Sequence, residues 1–219
     1  MGTNPIADKP AIKKRKSDQT RNVVRAVHNL AMLMIVVALG LQGLTGTLDM
    51  SPWLLPDDTH IVVKYGAAAL LAVGFLSIVS YFFDFWFDSY RFLRASMAHV
   101  FAPMPKMTLI YLAAISALAE EVLFRWTLQP SFGIIITSLA FTALHTMFTN
   151  PVSGRGLWAI LCSLMLCWLY EQSRCLWLPV TTHVLLNISN CFTLRRVWKL
   201  VYSFDSEKIG QSITDDKGH

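Results

Sequence analysis

A chain of 219 residues that is 54% hydrophobic and only 15% charged, with a mean hydropathy of +0.45, falls short of the roughly one-quarter charged content of a water-soluble domain. Its apolar residues come in blocks close to the roughly 17–25 residues that cross a bilayer as a helix, and they lack the alternation of barrel strands. These features exclude an ordinary soluble domain and a β-barrel, and the net charge of +5 sits mostly in a leading tail that anchors a membrane protein, not one that binds nucleic acid.

In chain order, residues 1–22 are polar, carry Gly, Pro, Lys and Ser, and are expected to be a disordered basic tail. Residues 23–105 hold two anchoring spans, about 23–48 and 61–83, joined by an acidic loop with Asp49, Asp57 and Asp58. The second span leads into an aromatic, mixed-charge stretch, 84–105, suited to the headgroup interface through Trp86, Tyr90, Arg91 and Arg94. Residues 106–194 hold four more spans, about 106–128, 132–149, 157–170 and 176–194, with breaks at Pro130 and at Asn150-Pro151. Residues 195–219 form a polar tail, expected to be mobile. The reading is an all-α, polytopic transmembrane helical bundle of about six spans, since in lipid each spanning segment must satisfy its own backbone polar groups. The first span is too long for a signal-peptide core and no small-residue cleavage site follows it, so an uncleaved signal anchor is expected.

Six spans put both termini on one side. Of the 19 Lys and Arg residues, sixteen then fall on the inner side, two (Lys64 and Arg174) on the outer side, and Arg125 within a span. This bias orients the chain with both termini in the cytoplasm. The four cysteines, Cys162, Cys167, Cys175 and Cys191, show no C-x-x-C spacing and indicate neither a disulfide framework nor a zinc knuckle.

Ionisable side chains inside spans are costly and ask for a reason. The third span carries Glu120-Glu121-Val-Leu-Phe-Arg125. Glu121 and Arg125 are i, i+4 and can pair on one helix face. Glu120 lies about 100° around the helix, so it is either protonated or supplied with another partner. In the fourth span Phe141 lies one turn from His145 and can buttress its ring. In the sixth, His183 and Asn187 are again i, i+4; Asn187 can fix the His183 ring or donate a hydrogen bond to a reacting oxygen. Three spans thus bring polar groups inward, where a carboxylate and two imidazoles could surround one water. Each motif alone has a plainer explanation: an intramembrane His as a packing residue, Glu–Arg as an ion pair, or a proton relay.

The ordered set Glu-Glu-x-x-x-Arg, Phe-x-x-x-His and His-x-x-x-Asn resembles the CPBP intramembrane proteases, a family that includes CAAX prenyl endopeptidases and bacterial Abi or bacteriocin-processing proteins. The resemblance covers residues 107–190 and makes the last four spans a catalytic core. It implies Glu120 as the base that activates water, with His145, His183 and Asn187 completing the catalytic site and Glu121, Arg125 and Phe141 supporting it. It implies an endopeptidase acting near the membrane end of a membrane-anchored protein or peptide. The expected site uses no cofactor. There is no H-E-x-x-H helix, although Glu120, His145 and His183 are the residues that would hold zinc. The short chain with its extra pair of spans looks like a bacterial inner-membrane protein. Helix depth suggests a site opening outward. The competing reading is a non-proteolytic scaffold, a bacteriocin-immunity protein or a proton-coupled carrier built on the same polar core.

Overall fold

The computed structural model describes residues 9–46, 48–147 and 152–215, with side chains for 17–46, 48–147, 152–196, 198 and 199. The elements are α1 (Lys9–Thr45), a 3-10 turn (Ser51–Trp53), α2 (Thr59–Trp86), α3 (Asp88–Phe101), α4 (Lys106–Glu121), a π-helical segment (Val122–Leu128), α5 (Gln129–Thr146), α6 (Gly154–Ser173) and α7 (Trp177–Asp215). Among the described residues there is no strand. The bundle is built from α1, α2, α4, α5, α6 and α7. Helix α3 takes the interfacial stretch and packs against α2, α6 and α7.

Two elements are longer than the sequence reading. Helix α1 already begins at Lys9, inside the segment expected to be disordered; no Gly or Pro follows Pro10 in that stretch, and Arg21 pairs with Asp18 one turn away at 2.7 Å. Residues 1–8 lie outside those described. Helix α7 continues from the sixth span to Asp215, through a stretch expected to be mobile but free of Pro, and only 216–219 lie outside the described residues.

Among the described residues, three helical stretches are long and apolar enough to cross a membrane: Ser17–Thr45, Thr59–Trp86 and Lys106–Thr146. The last is a hairpin. Gly133 has φ 72° and ψ 177°, and the residues on either side of it run antiparallel. Phe124 meets Phe141 with ring centroids 5.1 Å apart. One turn further from the bend, Glu120 meets His145. The arm from Gly133 to Thr146 is about 20 Å long at 1.5 Å per residue, short of a hydrocarbon core of about 30 Å, so it stops part-way through. Helices α6 and α7 read as less apolar because Arg155 and Glu171 flank the first, while Thr181, Thr182, His183, Asn187 and Asn190 interrupt the second.

The bundle is apolar outside, and its interior sets a group of buried polar side chains within an apolar core. Leu33, Val36, Val63, Leu70 and Leu71 are exposed, while Glu121, Arg125, Thr137, Ser138, Ser163, Thr182 and His183 are buried. Water as solvent would favour the reverse. Lipid favours this arrangement, because only the interior can supply hydrogen-bond partners.

The two ends differ. At one end Trp53 sits between Trp126 and Trp177, at centroid distances of 5.4 and 6.0 Å. Trp126 Nε1 donates to the Asp49 carbonyl at 2.7 Å, Trp177 Nε1 to the Trp53 carbonyl at 2.8 Å, and the Leu176 amide to the Pro52 carbonyl at 2.8 Å. The Gln42 amide donates to the Trp126 carbonyl, within the π-helical segment, at 2.9 Å. This tryptophan end is closed. The opposite, basic end gathers Lys106, Arg155, Arg195 and Arg196. There Gly154 allows close approach of α6 to the α2–α3 junction: a Cβ at this position would lie 2.5 Å from the Phe87 Cβ.

The hairpin supplies a first prediction. The Gly133 conformation is essentially restricted to glycine, and a Cβ there meets nothing within 4 Å. Gly133→Ala is expected to lower stability by about 1–3 kcal/mol through backbone strain alone, read as a lower thermal midpoint in detergent.

Candidate active site

The site forms where the two arms of the hairpin meet α7. Glu121 and Arg125 are both 0% exposed and form an ion pair, Arg125 Nε to Glu121 Oε2, at 3.1 Å. The i, i+4 pairing expected from the sequence is therefore present. Desolvating two charges is favourable only when further hydrogen bonds satisfy them. Arg125 Nη2 accordingly donates to the Ser163 carbonyl at 3.3 Å and its hydroxyl at 3.1 Å. Its guanidinium also lies 4.9 Å from the Phe141 ring centroid. Ser163 on α6 was not legible as a site residue, since a lone serine in a span looks like a packing residue; the signal available was that a buried Arg125 needs acceptors beyond one carboxylate.

The other Glu121 oxygen, Oε1, is 2.7 Å from His183 Nδ1. With Arg125 beside Glu121, the carboxyl oxygen accepts and the His183 Nδ1–H donates. The His183 ring is thus oriented by Glu121, not by Asn187 as one sequence alternative had it. His145 Nδ1 is 3.0 Å from the Phe141 carbonyl, which can only accept, so this nitrogen also carries a proton. The His145 ring stacks on Phe141 with centroids 4.2 Å apart and planes 19° apart, the buttress expected from their spacing.

With both Nδ1 atoms committed as donors, each imidazole in its neutral form presents an Nε2 lone pair. Both Nε2 atoms are 3.8 Å from the same atom, Glu120 Oε2. That oxygen is buried and has no hydrogen-bond partner among the described residues. Three acceptors therefore face one gap too wide for direct hydrogen bonds and suited to a bridging water. Such a water can donate to two of them. The structure thus brings together Glu120, His145 and His183, and it gives the adjacent carboxylates different surroundings: Glu121 faces Arg125 and His183, Glu120 faces the gap.

Asn187 lies one turn along α7 from His183 and lines a cavity of about 220 Å³ together with Arg94, His145, Arg155, His183 and Asn190. This cavity extends from the histidines toward the basic end. The sequence-based expectation was an opening at the opposite end, whereas the described lining of this cavity lies toward the basic residues. Trp53, Trp126 and Trp177 pack together at the opposite end, and the described lining of the cavity runs from His145 and His183 to Arg94 and Arg155. Among the described residues no group of three His, Cys, Asp or Glu is arranged to hold a metal ion as it stands; Glu120, His145 and His183 come nearest.

Comparison with known proteins agrees with this geometry. Residues 102–189, which contain Glu120, Glu121, Arg125, Phe141, His145, Ser163, His183 and Asn187, match the family model for the type II CAAX prenyl endopeptidase Rce1-like proteins. The chain is also similar to the uncharacterized protein YpbD of Bacillus subtilis (strain 168), at 24% identity over 168 residues, covering 72% of this chain and 83% of that protein. No solved structure matches. The resemblance first read from the order of the Glu, His and Asn motifs is borne out: residues 102–189 are similar to the type II CAAX prenyl endopeptidase Rce1-like proteins.

Proposed function

We propose that this integral membrane protein is an intramembrane endopeptidase that hydrolyses a peptide bond near the membrane end of a membrane-associated protein or peptide. The observation that carries this reading is the buried, unpartnered Glu120 Oε2 facing two imidazole Nε2 atoms at 3.8 Å. A water in that gap donates one proton to Glu120 and the other to an imidazole. As its oxygen attacks the substrate carbonyl carbon, Glu120 takes the first proton, general-base work worth about 10²–10⁴-fold. Asn187 stands on the cavity wall, where its amide can donate to the developing oxyanion. The proton held by Glu120 then passes to the departing amine as the C–N bond breaks, so the site returns to its starting state. Glu121 and Arg125 take no proton; they keep His183 in one tautomer and orientation.

The proposed mechanism needs no metal. Were zinc bound, Glu120, His145 and His183 would hold it, and it would supply Lewis acidity to the same water. The two cases separate on treatment with a chelator. Cleavage that persists after dialysis against a strong zinc chelator supports the carboxylate mechanism. Loss of cleavage that returns with stoichiometric zinc would overturn it.

The charge bias supports a topology with the basic end in the cytoplasm of a bacterial inner membrane and both termini inside. On that topology the cavity faces the cytoplasm. In a cysteine-free background, Asn190→Cys is expected to react with a membrane-impermeant maleimide from the cytoplasmic side only. Labelling from the outside alone would reverse the assigned face. The function itself is tested by reconstituting the protein with membrane-anchored peptides and identifying the new termini by mass spectrometry.

A further inference from the structure

A second cavity, of about 440 Å³, lies at the basic end and is separate from the active-site cavity. Lys106, Arg195, Arg196 and Lys199 line it, with Phe192 and Trp198 as apolar wall. No carboxylate lines it, and none of the four cations forms an ion pair among the described residues. Arg195 is fixed in place: its Nε donates to the Ala102 carbonyl at 3.2 Å and its Nη2 to the Met104 carbonyl. Trp198 packs edge-on against His99 of α3, at a centroid distance of 4.5 Å.

Four like charges around one concavity repel each other, and water screens that repulsion only in part. An exposed basic helix end, sufficient for positive-inside anchoring, would need no cavity and no immobilised arginine. Among the described residues, a group of opposite charge is what this arrangement lacks. We propose that the cavity binds the phosphate of an anionic phospholipid headgroup, with the acyl chains lying along the apolar flank at Phe192. Its level in the bundle supports a lipid as the source: the cavity sits where α3 meets α7, at the end of the apolar spans, and basic pockets between transmembrane helices on the cytoplasmic side suit such headgroups.

The position also gives the site a consequence. Lys106 starts α4, which carries Glu120, and the other three cations are on α7, which carries His183 and Asn187. A phosphate between them ties together the basic ends of the two helices whose side chains must meet in the active site.

The test uses the full-length protein purified in mild detergent, with native mass spectrometry to count retained lipid. Phosphatidylglycerol is expected to be retained and phosphatidylcholine not. Removing surface cations near bound anionic lipid weakens binding about fivefold each. The double variant Arg196→Gln/Lys199→Gln should therefore lose retention by on the order of 25-fold. The variant Lys64→Gln/Arg174→Gln, which removes two cations from the tryptophan-end half of the molecule, should retain lipid normally. Phosphatidylglycerol should raise the thermal midpoint of the wild type and of that control, and not of the Arg196→Gln/Lys199→Gln protein. Equal lipid retention by the two double variants would overturn the proposal. So would displacement of the lipid by low-millimolar inorganic phosphate, which would identify a free-anion site. Arg195 is left unchanged because its carbonyl bonds also support the fold.

Discussion

Glu120→Gln is expected to abolish proteolysis, by about 10²–10⁴-fold, in a protein that inserts and folds as the wild type does. The substitution keeps the shape of the side chain and removes only its capacity to take a proton. It should be structurally mild, because Glu120 Oε2 makes no hydrogen bond to a described residue and its nearest charged or titratable neighbours are two imidazoles at 3.8 Å. Glu121→Gln, a change of the same chemistry one residue away, has a different expected profile. It weakens the partner of Arg125 and the acceptor of His183 Nδ1, so it should lower stability as well as activity. The measurement is a cleavage rate paired with a thermal midpoint for each variant. If Glu120→Gln cleaved at the wild-type rate, Glu120 would not be the base.

Arg125→Met is expected to be the most destabilising single change in the core. It strands the Glu121 carboxylate at 0% exposure and removes a donor from the Ser163 carbonyl and hydroxyl. Breaking a buried pair in this way costs about 3–5 kcal/mol, on the order of 10 °C in thermal midpoint for a chain of this size. The double variant Glu121→Gln/Arg125→Met removes both charges and should recover much of that stability. Activity should not recover with it, because the Nδ1 of His183 then lacks the carboxylate that orients the ring. A double variant that regained both would show that the ion pair holds the fold and leaves the histidine unaffected.

Much of this was legible in the sequence, for identifiable physical reasons. The spans announced themselves because lipid tolerates only long apolar helices, but the bend at Gly133 lies just inside the expected fourth span, three residues past the break expected at Pro130. Glu121 and Arg125 were readable as a pair because i, i+4 spacing alone brings them together. The convergence of Glu120, His145 and His183 was suggested by the cost of placing them in spans. Its form depends on the packing of three separate helices, which no local spacing encodes. The same holds for Ser163 and for the contact between Glu121 and His183. The direction of the cavity is not readable from helix depth, because a depth counted along the chain assumes full-length spans. The arm carrying His145 is only about 20 Å long, and the opposite end is closed by Trp53, Trp126 and Trp177, whose clustering is a property of the tertiary fold. The helical ends of α1 and α7 were missed because polar composition describes solvent exposure and says little about helicity once an adjoining span has nucleated the helix.

The central claim is that the gap between Glu120, His145 and His183 holds a water that attacks a peptide bond. The most direct measurement is mass spectrometry of membrane-protein termini from reconstituted reactions run in ¹⁸O-labelled water, comparing wild type with Glu120→Gln. The account predicts new carboxyl termini carrying one ¹⁸O atom with the wild-type protein and none with the variant. New termini of equal abundance in both, or no new termini with active wild-type protein presented with its membrane proteome, would contradict it.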